Sequence, residues 1–450
     1  MTRFLLFALA LVALPLQART DRSLAETTFE KTLSNGMKVI VHEDHRAPVV
    51  VSQVWYRIGS TYEHDGITGV SHTLEHMMFK GTKSLKPGEF SEIIAANGGK
   101  ENAFTSQDYT AYFQRIASDR LEICLKLEAD RMRNVVFLPE EFAKEVEVVK
   151  EERRWRVDNK PRSKLWEQFG ATAFLTSPQR IPTIGWRSDL DELTVQDAED
   201  WYRMWYAPNN ATLVVVGDVE ADEVFALAER YFGGLEPSEI QPPKSRRELA
   251  QEGERRIELY GQTANPYLLL GYKVPALKPD LSNRKDAFAL DVLSALLDGG
   301  NSARISRNIL RGKELAVSAG ASYDPFSRLD GLFVLAGTPS KGVTPQQLKR
   351  ALIAEVEALA NEPVPSKELE RVKAQVIASK VFDQDSSFNM GMQIGMLDSM
   401  GYDWRLLDDY VEEIRAITPA DVQRVARQYF SPHTLTTAIL WPEDRKEKKQ

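Results

Sequence analysis

His72-Thr73-Leu74-Glu75-His76 is the segment of this 450-residue chain whose residue types and spacing point most directly to chemistry. Two imidazoles four residues apart on a helix lie about 40° from one another around its axis, so both can reach one ion. A carboxylate beside the second imidazole can take a proton from water held on that ion without being a ligand itself. A catalytic zinc uses three protein ligands and keeps a fourth place for water, so a third donor must come from elsewhere. The carboxylates of a helix expected over Glu140–Val157 are the candidates. Glu145, Val149 and Glu152 fall on one stripe at i, i+4 and i+7, and Val149 marks that stripe as facing inward. Carboxylates on an apolar face are costly unless they meet a cation. Glu147 and Glu151 fall on other faces and read as solvated. His42, His45, His64 and His433 lack ligand spacing.

The elements that must position this set follow from local patterns. Thr28–Leu33 and Met37–His42 flank Ser34-Asn35-Gly36, a turn sequence that tolerates positive φ, and predict a β-hairpin. Val49–Ile58 is dense in β-branched and aromatic residues and predicts a strand. Gly69–Lys80 predicts a short helix carrying the motif. Helices are expected over Phe90–Asn97 and Asp119–Asn134, and a single strand over Ala103–Ile116. Thr212–Val216 predicts a buried strand, followed by a helix near Ala221–Tyr231. Pro237, Pro242, Pro243 and a cluster of charges between Glu236 and Gly253 mark a linker.

An internal echo sets the larger plan. Leu193-Thr194 with Asp197, then Tyr206-Ala207-Pro208, recur as Ile417-Thr418 with Asp421, then Phe430-Ser431-Pro432. The differences 418−194, 421−197, 430−206 and 432−208 all equal 224. Each copy runs from a Thr cap through an amphipathic helix and a Pro turn into an apolar strand. Two tandem copies of one α+β domain are therefore expected, 19–235 and 254–445, joined by a linker 236–253. Shifting His72 and His76 by 224 lands on Leu296 and Gly300, so only the first copy can hold the ion.

Composition bounds the rest. Hydrophobic content of 43% and charged content of 27% are globular values, and a net charge of −8 without a basic stripe argues against a nucleic-acid partner. Arg3, the apolar run Phe4–Leu14 and Pro15-Leu16-Gln17-Ala18 read as a secretory signal over 1–18, too short to span a bilayer, and predict a periplasmic protein without stable membrane insertion. Cys124 is the only cysteine and reads as a buried helix thiol.

Beyond the motif, the chain resembles the pitrilysin/insulysin-like metallopeptidases, which include the mitochondrial processing peptidases and many two-domain bacterial peptidases. The resemblance is carried by Gly69 through Thr82, by Gly98-Gly99-Lys100-Glu101-Asn102-Ala103-Phe104-Thr105, by Glu145 through Glu152, by Val216-Gly217-Asp218 and by Ser302-Ala303-Arg304 with Leu315-Ala316. It implies two tandem α/β-sandwich domains and a zinc-dependent endopeptidase acting on peptides or extended protein segments. One Zn2+ per chain would sit on His72, His76 and Glu152, with Glu75 as general base and Glu145 orienting the site from behind. Asn102 and Ala103 would border the substrate, held as an added strand. Many members also carry an Arg and a Tyr, seven residues apart, that polarise the substrate carbonyl. Here those places hold Leu310 and Val317, with Arg311 one position off. Either this chain lacks that polarising help, or a second subunit supplies it, a homologous one that lacks the metal motif but keeps the pair or a second copy in a homodimer. Two other readings compete. S-ribosylhomocysteine lyases share H-T-L-E-H and would need Cys124 as third ligand, and a non-catalytic assembly subunit would need no motif at all.

Overall fold

The computed structural model describes residues 23–443 apart from Ser245, so the expected signal segment 1–18 lies outside the described residues. In the first half the order is β1 Thr28–Thr32, β2 Lys38–Glu43, β3 Val49–Tyr56, α1 Val70–Met77, α2 Glu89–Ala96, β4 Lys100–Thr105 and β5 Thr110–Ala117. It continues with α3 Leu121–Asn134, α4 Pro139–Arg153, α5 Pro161–Ala173, α6 Arg187–Glu192, α7 Val195–Trp205, β6 Ala211–Gly217 and α8 Ala221–Phe232. The second half holds β7 Arg255–Gly261, β8 Tyr267–Val274, α9 Arg284–Asp298, β9 Ala316–Ser322, β10 Gly331–Pro339 and α10 Pro345–Asn361. It ends with α11 Ser366–Gln384, α12 Ser387–Ser399, α13 Leu406–Ala416, α14 Pro419–Tyr429 and β11 Leu435–Pro442.

The two halves repeat one topology. The first sheet has the order β1-β2-β6-β3-β5-β4 and the second β7-β11-β8-β10-β9. In each, the last strand of the copy (β6, β11) enters between two others. It lies parallel to one (β2, β7) and antiparallel to the other (β3, β8). The helices before these strands carry the same capping box, Thr194 with Asp197 and Thr418 with Asp421. Each Thr hydroxyl accepts the third backbone N–H, and each Asp accepts from the cap residue's own N–H.

Strands β3 and β6 are buried on both faces, which explains their near-continuous apolar sequence. Leu213 and Val215 face the first core while Val214 and Val216 face the second, the period-two alternation of a strand dividing two cores. The helices that cover the far faces are exchanged between the halves. The second half's α12 lies on β3 and β6, where Asp398 accepts from Lys38 Nζ (2.7 Å), Arg57 Nη2 (2.9 Å) and Thr212 Oγ1 (2.5 Å). The first half's α5 lies on β11 and β7, where Leu165 and Phe169 join a small core with Leu269, Val334, Ala438 and Leu440.

Two expectations change. The single strand over Ala103–Ile116 is instead the hairpin β4–β5, turned at 106–109. Asp108 anchors that turn by accepting from Thr61 Oγ1 at 2.6 Å. The helix expected to run to Val157 leaves α-helical form after Arg153 and continues as a π-helical turn, Arg154–Asp158. The described residues of segment 237–254, all but Ser245, form neither helix nor strand, and the segment is pinned by Glu248. That carboxylate accepts from the N–H groups of Leu175, Thr176 and Ser177 and from Lys273 Nζ at 2.7 Å.

Candidate metal centre

The motif lies on α1, as its pattern requires, but the helix start is capped from outside the helix. Gly69 caps α1 without a side chain of its own. The buried Glu63 supplies the cap, its two oxygens accepting from Gly69 N (2.7 Å) and Ser71 N (2.8 Å). Burial raises the Glu63 carboxyl to about 7 against the pull of those N–H groups. The wall opposite, Pro182 to Ile184, is drawn onto this start by a close approach at Gly185. A Cβ at Gly185 would stand 2.4 Å from the Thr68 carbonyl oxygen.

At the other end of the site, α4 begins with Pro139 and presents Glu145, Val149 and Glu152 inward. Glu147 and Glu151 are exposed, as the stripe predicts. His72, His76 and Glu152 converge. One donor atom from each lies within 4.8 Å of the others, and this is the metal-competent group found among the described residues. Glu152 Oε2 stands 3.4 Å from His72 Nε2 and 3.6 Å from His76 Nε2, and it is buried without a hydrogen-bond partner. A tetrahedral zinc with bonds of about 2.0–2.2 Å separates its donor atoms by about 3.3–3.6 Å, so Glu152 Oε2 is spaced from each imidazole as such an ion demands. His72 is nearly enclosed, and burial, then His76 and Arg156, lower its pKa to about 3. The imidazole is therefore neutral, the form that ligates.

The neighbours of these groups were only partly legible. His76 Nδ1 meets Glu145 Oε2 at 3.1 Å, so Glu145 sits where its expected orienting role requires. Lys80 Nζ holds the other oxygen of Glu145 at 2.7 Å. Glu75 accepts from Thr105 Oγ1 at 2.5 Å, and burial raises its pKa, with Thr105 and His76 opposing. Arg156 Nη2 lies 2.6 Å from Glu152 Oε1. Arg153, beside Glu152 in sequence, is buried and ties α4 to Glu167 of α5 and to the Gly185 carbonyl. Lys80 and Arg156 each sit one turn beyond a site residue, and that spacing is the signal that could have found them. Thr105 had none, because only the fold brings it near, whereas Glu63 lies six residues before Gly69.

His72, Glu75, His76, Thr105, Glu152 and Arg156 line a cleft of about 600 Å³. Asn102 and Ala103 lie along it on β4, an edge strand, as expected. The Asn102 side-chain oxygen accepts the Ala103 N–H at 2.9 Å. In the second copy a smaller cavity, about 370 Å³, is lined by Gly299, Val376 and Lys380. These are the images of Glu75, Glu152 and Arg156, since 299−75, 376−152 and 380−156 all equal 224. The fold is repeated and the donors are gone. Leu310 packs against the second core and Val317 is 70% exposed on β9, so neither offers a polar atom. Arg311 is turned to the Asn301 carbonyl. Cys124 is fully buried on α3, its thiol pushed up to about 12 by burial, and it is not among the converging donors. His64 bonds the neighbouring Asp65 carbonyl and also stays outside the group.

Comparison with known proteins agrees with this geometry. Residues 38–185 match the family described as insulinase (peptidase family M16), and 192–376 match the peptidase M16 inactive domain. A zinc protease of Helicobacter pylori, PqqE, is 33% identical over 91% of this chain and 92% of its own length. The chain belongs to the M16 peptidase family. The M16 inactive-domain match begins near the end of the first half and lies mostly on the half without donors. An uncharacterised zinc protease of Bacillus subtilis, YmxG, is 26% identical over 89% of this chain and 95% of its own length. The crystal structure of a protease from Helicobacter pylori superposes with a TM-score of 0.86 at 32% identity, covering 92% of this chain and 99% of that one. The first half of the Escherichia coli periplasmic protease PqqL shares the fold at a TM-score of 0.78 and 20% identity, covering 94% of this chain and 93% of that one. This M16 chain is a metallopeptidase in a two-domain fold, and no helix among its described residues is long and apolar enough to cross a membrane.

Proposed function

We propose that this M16 peptidase is a zinc-dependent endopeptidase that cleaves peptides or extended protein segments, with one ion held by His72, His76 and Glu152. The observation that carries the reading is Glu152 Oε2, buried, unpartnered and at tetrahedral donor spacing from both imidazoles. Zinc bound there would acidify a water and polarise a carbonyl. Glu75, adjacent to the pair and steadied by Thr105, takes the proton of the attacking water and returns it to the leaving amine. Glu145 accepts from His76 Nδ1 and so fixes which nitrogen faces the ion. The β4 edge at Asn102 and Ala103 offers main-chain groups to an extended substrate, which gives affinity with little demand on sequence. The working units are the copies 19–235 and 254–445, the second without metal. Leu310 and Val317 leave a carbonyl-polarising pair to be supplied by a homologous subunit lacking the metal motif, or by a second copy in a homodimer. Export to the periplasm rests on the apolar run Phe4–Leu14 and on the fold shared with a protease described as periplasmic.

The test is metal analysis of the purified chain together with cleavage-site mapping on a peptide library. Glu75→Gln is expected to keep stoichiometric zinc and to lose about 10²–10⁴-fold in kcat. Activity within threefold of the parent in that variant defeats the assignment of Glu75.

A further inference from the structure

Each carboxylate at the metal corner carries a cation on the oxygen turned away from the imidazoles. Glu145 uses Oε2 for His76 Nδ1 and Oε1 for Lys80 Nζ, at 3.1 and 2.7 Å. Glu152 turns Oε2 to both Nε2 atoms and gives Oε1 to Arg156 Nη2 at 2.6 Å. We propose that Arg156 is a positioning residue that confines Glu152 to ligation through one oxygen. Lys80 plays the parallel part for Glu145. This rests on the reading of His72, His76 and Glu152 as the metal ligands.

A carboxylate with both oxygens free can swing to embrace an ion with the pair, filling the place that the attacking water needs. A guanidinium 2.6 Å from Oε1 opposes that swing, because the two opposite charges must first be drawn apart. Ion pairs at i, i+4 on a solvated helix face are common and weak, but this one differs in two respects. Its carboxylate is mostly buried, 18% exposed, with its second oxygen committed inward. It also sits where α4 passes into the π-helical turn Arg154–Asp158, a local widening that recurs at functional sites. Along this stretch the three arginines divide their work. Arg153 turns to Glu167 and Arg154 to Glu151, while Arg156 lines the cleft.

The experiment uses the full chain with cobalt in place of zinc, since the visible bands of cobalt lose intensity steeply when a fourth ligand becomes a fifth. Wild type is expected to take up one cobalt with intense, four-coordinate bands. R156Q is expected to keep its melting temperature, because the guanidinium side chain is 67% exposed. Its bands are expected to fall at least threefold, and its kcat by about 10–100-fold with KM within twofold. R156K, which restores a cation but not the planar fork, is expected to recover most of the band intensity. Bands in R156Q identical to wild type overturn the proposal, even if activity falls, because Arg156 would then act on substrate. Failure of the wild type to bind either metal overturns the ligand assignment instead.

Discussion

Substituting Gly395 by Ala tests the exchange of helices between the two halves, because two opposing effects can be weighed from the structure. In an exposed helix the change would stabilise by about 1 kcal/mol, since Gly is that much poorer a helix former than Ala. Here a Cβ at position 395 would stand 2.1 Å from Trp55 Cε2 and 2.2 Å from Trp55 Nε1. Ordinary contact is about 3.5–4.0 Å, so α12 must retreat by more than an ångström or the ring must turn. Trp55 is fully buried, and its Nε1 donates to Gln53 Oε1 at 2.9 Å, so the ring is held. Overpacking of this kind costs about 1–3 kcal/mol or somewhat more. Retreat of α12 also draws Asp398, one turn on, from Lys38, Arg57 and Thr212. The steric term, together with the strain on Asp398, wins with a net loss of about 1–2 kcal/mol. For a chain of this size that corresponds to a fall of about 1–3 °C in Tm, measured by calorimetry with metal content matched. Trp55→Phe, which removes the offending ring, is expected to be non-additive with Gly395→Ala by at least about 1 kcal/mol. A Gly395→Ala chain that melts at or above the parent temperature refutes the reasoning, since propensity would then have prevailed.

Replacing Glu152 by Gln removes the one anionic donor of the proposed centre and is expected to abolish stoichiometric zinc binding, read by metal analysis after dialysis; full zinc content would move the third ligand elsewhere. Burial works against the charge of Glu248, yet Lys273 and the N–H groups of Ser177, Leu175 and Thr176 hold its carboxyl at about 2, below the ordinary 4.5. A depressed carboxyl contributes stability that is present above pH 4.5 and is lost as pH falls toward 2. Glu248→Gln should therefore cost about 2 kcal/mol at pH 7 and nothing near pH 2, and a pH-independent difference between the two chains contradicts this account. Asp398 is likewise held below its ordinary value. Burial opposes the charge, but Arg57, Lys38 and Thr212 outweigh it. Asp398→Asn is expected to lower Tm at pH 7 but not below pH 3, with equal Tm values at neutral pH as the contrary result.

Much of the site was legible because its chemistry is local. His72, Glu75 and His76 fall together on one turn whatever the rest of the chain does. The i, i+4, i+7 stripe of Glu145, Val149 and Glu152 identified which carboxylates of α4 face inward, while the resemblance, rather than the spacing, distinguished Glu152 as the ligand. Lys80 and Arg156 were within reach of the same argument, one turn beyond Glu145's partner His76 and beyond Glu152. The β4–β5 hairpin was read as one strand because Ser106–Tyr109 contains no Gly or Pro. Its turn is held instead by Asp108 and Thr61, which are 47 residues apart. Helix α5 escaped because its apolar positions Leu165, Phe169 and Ala173 form only a narrow stripe.

The sequence alone therefore determined the metal motif, the capping boxes and the 224-residue repeat, since each depends on contacts within a few turns or on a shared register. Only the tertiary structure decided that Thr105 meets Glu75, that Glu152 Oε2 meets both imidazoles and that α5 and α12 cross to the other copy's sheet. Periodicity says that a face is buried but not against what, and a bond between distant residues leaves no trace in the spacing of either one.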